Sequence, residues 1–156
     1  MSLSIQKLTP WHQACELVGA DPAASISMEE RSNIIFRASC KMLRLDPDAP
    51  QFAFGPAHTI AFNKLTLAII PALNGPWEQD WNSWDQKKWS CWFALNAPGF
   101  RFFDAYYGHV VTCVTGGPRL CLKSKARAEF AGTHCITLYR DLMGAGQLAP
   151  EALIAA

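Results

Sequence analysis

Hydrophobic positions recur every three to four residues through the first 74 residues and again after residue 124, with a two-residue alternation between them. Thr9-Pro10 opens the first predicted helix, a hydroxyl N-cap followed by proline at the first helical position, where its missing N–H costs nothing. Trp11, Ala14, Cys15, Leu17 and Val18 form its apolar stripe, and Gly19 closes it ahead of a turn at Asp21-Pro22. Ser27-Met28-Glu29-Glu30 is a capping box, and Ile34, Ile35, Ala38, Met42 and Leu45 carry a second helix to about residue 45. Asp46-Pro47-Asp48-Ala49-Pro50 stops it, and Phe52 and Phe54 are expected to pin the irregular connection that follows. A third helix is predicted over about 58–74, with Ile60, Leu65, Ala68, Ile69, Ala72 and Leu73 inward and Pro71 kinking its last turn.

The pattern then changes. Trp77, Trp81 and Trp84 have helical spacing, but Asp80, Asn82, Ser83 and Asp85 favour turns, so this stretch reads as a structured loop with at most one helical turn. From Trp89 the period is two, with Trp89, Cys91, Phe93 and Leu95 on one face and Ser90, Trp92 and Ala94 on the other. Asn96-Ala97-Pro98-Gly99 connects to a second strand from Phe100 to Tyr107, whose two aromatic faces imply cover on both sides. Val110–Thr115 reads as a third strand, and Arg119–Lys123 returns as a last strand after a turn at Gly116-Gly117-Pro118. Ser124 caps a final helix over about 125–143, with Ala128, Ala131, Cys135, Leu138 and Leu142 inward and Phe130 and Tyr139 widening the stripe. Short turns between strands define an α+β fold: N-terminal helices, a small antiparallel β-meander over about 88–123, and a C-terminal helix packed on the sheet. Residues 1–156 read as one domain, with Met1-Ser2-Leu3 in the form of a vector-derived start and 145–156 as a frayed or docked tail.

A chain of 156 residues buries roughly 70% of its unfolded surface, enough for a full core without metal or disulfide staples. Hydrophobic residues make up 50% and charged residues 17%, against roughly 25% charged in an average domain, so little charge is left to solvate an extra apolar face. A net charge of +1 does not mark a nucleic-acid-coating protein. The absence of a run of 18 apolar residues, or of a signal-peptide pattern, predicts a cytoplasmic chain without a membrane partner. Its six cysteines, at 15, 40, 91, 113, 121 and 135, form no Cys-x-x-Cys pair and read as buried free thiols.

Candidate chemistry is sparse. His109, Cys113, Cys121, His134 and Cys135 are borderline or soft metal ligands, but they lack the close pairs of structural zinc sites. No nucleophile elbow, phosphate-binding loop or dinucleotide fingerprint is present, so neither a cofactor nor catalytic residues are expected. More informative is the cluster Arg119, Lys123, Ser124, Lys125 and Arg127, four cations without an acid where a strand meets a helix N-terminus. Cations there oppose the helix dipole, and a docked anion would reverse that penalty; the same charges equally serve as a solvated edge that prevents strand pairing. Residues 77–107 hold 11 of the 18 aromatics. Trp89, Phe93, Leu95, Phe100 and Phe102 read as the core face of the sheet. Trp77, Trp81, Trp84 and Trp92 are harder to bury together and are candidates for an interface or a stacking platform.

Several segments resemble a known pattern: Trp77-Glu78-Gln79-Asp80-Trp81-Asn82, Trp92-Phe93, Gly99-Phe100, Arg119-Leu120-Cys121-Leu122-Lys123-Ser124, Ala128-Glu129-Phe130-Ala131-Gly132, and Leu138-Tyr139 with Asp141. The pattern is similar to that of a family of small uncharacterised phage- and prophage-associated bacterial proteins and spans about residues 64–143, with Gln79 and Cys91 standing where the pattern carries proline. That family has no assigned activity, so no catalytic residue carries over. The resemblance implies a phage-encoded accessory protein acting on the host or on nucleic acid, and the residues then point to an interaction module that binds a protein or single-stranded nucleic acid through its aromatic loop and basic edge. Two alternatives from other classes are a self-associating structural protein and a metal protein or enzyme using His109, Cys113, Cys121 and Cys135.

Overall fold

The computed structural model describes residues 9–95, 99–108 and 117–144. Its fold is α+β: helices α1 (Pro10–Val18), α2 (Met28–Leu43), α3 (Ala57–Lys64) and α4 (Ile70–Asn74) precede an antiparallel hairpin of β1 (Lys88–Ala94) and β2 (Arg101–Gly108), followed by α5 (Lys125–His134) and α6 (Ile136–Leu142). The local signals act as expected. The Thr9 hydroxyl accepts the His12 N–H, Gly19 sits at φ 71° past α1, and the Ser27 hydroxyl accepts the Glu30 N–H at 3.1 Å. Helix α2 lies at the centre, its Ile34, Ile35, Phe36, Ala38 and Cys40 buried against α1, α4, α5 and α6. The helix ends two residues early, at Leu43, because Arg44 turns left-handed at φ 58° and the Leu45 N–H reaches back to the Cys40 carbonyl at 2.8 Å.

Where Pro71 was expected to kink the last turn of one long helix, the irregularity falls before it. Residues Leu65–Ile69 form a π-helical turn between α3 and α4, with the Ile70 N–H bonded to the Leu65 carbonyl. Widening the turn there accommodates a proline ring that would clash with the carbonyl four residues back. Leu65 and Ile69 in this turn are fully buried, each contributing on the order of 1.5–3 kcal/mol.

Of the expected meander, the described residues hold a two-stranded antiparallel sheet. The expected third strand, 110–115, lies outside them. The expected last strand is a 3-10 turn, Gly117–Leu120, followed by one isolated bridge in which Leu122 exchanges both backbone bonds with Trp89, at 2.8 and 2.9 Å. Pairing extends no further because Leu120 still belongs to the 3-10 turn and Ser124 already caps α5; the other edge of the segment is held separately. The buried Asn74 amide donates to the Cys121 carbonyl and accepts from the Lys123 N–H, both at 3.0 Å, standing in for a neighbouring strand.

The single C-terminal helix is two. At Cys135 the backbone leaves helical geometry (φ −110°, ψ 25°). Buried Ser32 lies 3.2 Å from the His134 carbonyl and 2.6 Å from the Thr137 hydroxyl, so the groups released at the break are satisfied by α2. Of the expected inward stripe, Ala128, Ala131, Cys135, Leu138 and Tyr139 are buried, and Phe130 and Leu142 are half-buried against the core. Helix α5 covers one face of the hairpin, and Gly132 permits the approach, since a Cβ there would lie 2.3 Å from the Phe102 ring.

Candidate functional site

The hairpin's aromatics divide between two surroundings. Trp89, Phe93, Phe100 and Phe102 are half-buried against the core, with Phe93 stacked on Phe100 at 4.7 Å and tilted against Tyr139 at 4.8 Å. Leu95, expected with them, is 48% exposed. The expected cover on both sides of β2 is incomplete: Phe103 and Tyr106 are exposed, and so is Tyr107, which pairs with Trp89 on the opposite face, ring centres 5.0 Å apart. A bulge between Trp92 and Phe93 shifts the register, so Trp92 pairs with Asp104 and Phe93 with Phe102. This leaves Phe103 as the extra residue. Trp92, 58% exposed, meets Tyr106 edge to face at 5.5 Å.

Trp92, Leu95, Tyr106 and Tyr107 form one wall of a groove of about 960 Å³, closed by His58 and Phe62 from α3, Leu120 and Cys121 at the end of the 3-10 turn, and Leu142 and Met143 at the end of α6. Trp81 reaches it from the tryptophan loop. That loop has no helical turn; it is tied by its own turn-forming side chains. The Gln86 amide donates to the Glu78 carbonyl at 2.8 Å and accepts the Asp80 N–H at 2.6 Å, while Asp80 and Ser83 accept the Asn82 and Gln86 N–H groups. Lys88 is 2% exposed, donates to the Gln86 carbonyl at 3.2 Å, and sets its ammonium 4.8 Å from the Trp81 ring centre. Lys87 sits over Tyr107 at 4.6 Å.

Of the expected aromatic contacts, Trp81 and Trp92 line the groove; Trp77 is half-buried, and Trp84, 72% exposed, stands on the loop without lining it. The basic cluster is dispersed. Arg119 is exposed beside the groove residue Leu120, and Lys123 is half-buried with its N–H on Asn74. The Ser124 hydroxyl accepts the Arg127 N–H as the cap of α5. Lys125 faces Asp104 at 3.7 Å and Glu129 at 3.9 Å, and Arg127 donates Nε to the Leu73 carbonyl in a different cleft. Phe62, Tyr106 and Tyr107 were not singled out from the sequence. His58 and Phe62, four residues apart on a helix with inward Ala61 and Leu65, were the available signal.

The thiols in and behind the groove are unreactive in character. Cys91 donates to the Ala128 carbonyl at 3.1 Å and approaches the Tyr139 hydroxyl at 3.7 Å, and burial pushes its thiol up to about 11. Burial likewise raises Cys121, Cys135 and Tyr139. Of the candidate metal ligands, Cys121 and Cys135 are buried, and His109 and Cys113 lie outside the described residues. Among the described residues no three His, Cys, Asp or Glu side chains converge on a metal-sized site, and no helix is long and apolar enough to cross a membrane. Comparison with protein-family models, curated proteins and solved structures finds no match for this chain.

Proposed function

We propose that this protein is a non-enzymatic binding module whose aromatic groove takes an apolar segment of a protein partner. The observation that carries this reading is the groove itself, with Trp81, Trp92, Tyr106, Tyr107 and Phe62 around one opening of about 960 Å³. Tryptophan and tyrosine supply large contact area at low entropic cost and dominate interface hot spots. A partner rather than single-stranded nucleic acid is favoured by the cations. Lys88 is buried on Trp81, Lys125 faces two carboxylates, and Arg127 lies elsewhere, so few charges remain to track a phosphate backbone. The resemblance to small phage- and prophage-associated proteins fits an accessory role of this kind.

Peptides selected from a random library against the protein test it. We expect aromatic or aliphatic sequences whose affinity is nearly unchanged between low and high salt and falls at least tenfold in Trp92→Ala and Tyr106→Ala. Full binding by both variants refutes the groove. Oligothymidine binding that declines steeply with salt refutes the protein partner. Exposed aromatics on a chain with 17% charged residues also favour self-association; a dimer in sedimentation that Trp92→Ala dissolves assigns the groove to a contact between copies.

A further inference from the structure

Arg127, in the first turn of α5, lines a second cleft, of about 440 Å³, walled by residues of α1, α2, α4 and α5. Its volume falls within the usual range of small-molecule sites. Leu17, Ile35, Ala38 and Phe130 give it apolar walls, and Met42, 58% exposed, borders it with a flexible apolar side chain. Ser39 adds no unpaired group, because its hydroxyl donates to the Ile35 carbonyl at 2.7 Å. Among the described residues the cleft has one formal charge, Arg127, and no carboxylate.

Among the described residues that guanidinium is held in place but not neutralised. Its Nε donates to the Leu73 carbonyl near the end of α4, and no ion pair among the described residues engages its terminal nitrogens. The neighbouring cations differ: Lys125 faces Asp104 and Glu129, and Arg140 faces Glu29 and Asp141. A guanidinium carries five N–H donors in a planar fork suited to a carboxylate, and Leu73 takes one of them. Charge and lining together specify a ligand with one anionic head and an alkyl body. At about 30 Å³ per methylene, near the liquid volume of a water molecule, a chain of roughly ten carbons fits.

We propose that this cleft binds a medium-chain fatty carboxylate, its head on Arg127 and its chain against Leu17, Ile35 and Phe130. The site is separate from the aromatic groove, so either can fail alone. Calorimetric titration of the full chain with decanoate below its micellar concentration, with decanol as the uncharged control, tests it. We expect saturable binding of one decanoate per chain, strengthening about fourfold for each added methylene until the cleft is full. Arg127→Leu weakens decanoate at least tenfold and leaves decanol unchanged. Arg127→Lys retains part of the decanoate affinity and keeps the test open should the leucine variant not fold. Ala126→Trp, a bulky side chain at an exposed position of the lining, weakens both ligands. The proposal is overturned by no saturable binding up to millimolar decanoate, by equal losses for decanoate and decanol in the Arg127 variants, by full binding in Ala126→Trp, or by one decanoate per two chains, which would place a second copy at the cleft.

Discussion

Asn74 offers the sharpest test of how the chain between the hairpin and α5 is held. Its buried amide bonds the Cys121 carbonyl and the Lys123 N–H on one side, while Leu122 exchanges two backbone bonds with Trp89 on the other. In Asn74→Ala both backbone groups lose their partner. Each buried unsatisfied group costs about 1–3 kcal/mol, and partial water access at half-buried Lys123 lowers its share, so the expected loss is about 2–4 kcal/mol. That is a large fraction of the roughly 5–15 kcal/mol available to a domain. Asn74→Asp separates the two bonds. The ionised carboxylate still accepts from Lys123 but faces the Cys121 carbonyl with no proton to offer, so at pH 7 it should be at least as damaging as alanine. Burial and that carbonyl raise the folded-state pKa of the new aspartate above its unfolded value of about 3.9. The penalty therefore grows as pH rises from about 4 through the folded-state pKa, and shrinks on acidification, when the neutral acid donates to Cys121. Urea unfolding followed by tryptophan fluorescence, compared with wild type at pH 4.5 and 7.5, measures both effects. An Asn74→Ala loss below about 1 kcal/mol, or an Asn74→Asp penalty independent of pH, refutes the bridging role.

Other substitutions test other joints. Gly132→Ala gains up to about 1 kcal/mol of helix propensity but sets a methyl 2.3 Å from the Phe102 ring, so a net loss of about 1–2 kcal/mol is expected, and adding Phe102→Leu should recover most of it in chemical denaturation. Arg44→Gly relieves a left-handed backbone at φ 58° and should raise stability by about 0.5–1 kcal/mol; an unchanged unfolding midpoint contradicts the cap geometry. His134, stacked on Trp11 at 5.3 Å, is lowered to about 4 by burial and then by Arg31. Because that folded value lies below the unfolded 6.5, stability is full above pH 6.5 and falls as pH drops toward 4, by about 1–2 kcal/mol after discounting for solvent screening of a partly exposed ring. His134→Phe should flatten that acid slope, and parallel pH profiles for the two proteins would contradict it.

The features legible in the sequence are those decided within one turn of chain. Thr9, Ser27 and Ser124 cap the helices they precede because the hydroxyl and the amide it accepts are three residues apart. The apolar stripes of α2 and α5 are legible for the same reason. What was missed depends on distant partners. The break at Cys135 is stabilised by Ser32, more than 100 residues away, and the single-bridge segment after the 3-10 turn is held on its other edge by Asn74. No local pattern in 119–123 or 125–143 encodes those side chains. The basic cluster illustrates the limit for the site: Arg119, Lys123, Lys125 and Arg127 are close in sequence, yet helical geometry sends Arg127 into the four-helix cleft while Lys125 meets Asp104 on β2.

The fate of the aromatic segment follows from counting faces. A two-stranded sheet has two faces, and the described chain supplies α5 for one of them, fitted closely by the missing side chain of Gly132. Alternation then sends Trp92 and Tyr106 to the face away from Trp89, the bulge at Trp92 and Phe93 leaves Phe103 outside as well, and Tyr107, on the Trp89 face, is exposed near the end of β2. Full burial of one such ring contributes on the order of 1.5–3 kcal/mol, so leaving Trp92, Phe103, Tyr106 and Tyr107 exposed forgoes stabilisation that a partner can recover. Loop charges alone would not create this situation, and nearby cations do little to offset it: Lys87 lies over Tyr107, and Lys88 is buried on Trp81. Among the described residues of 77–107, the groove side chains Trp81, Trp92 and Tyr106 share with exposed Trp84 and Phe103 an arrangement that the core does not explain.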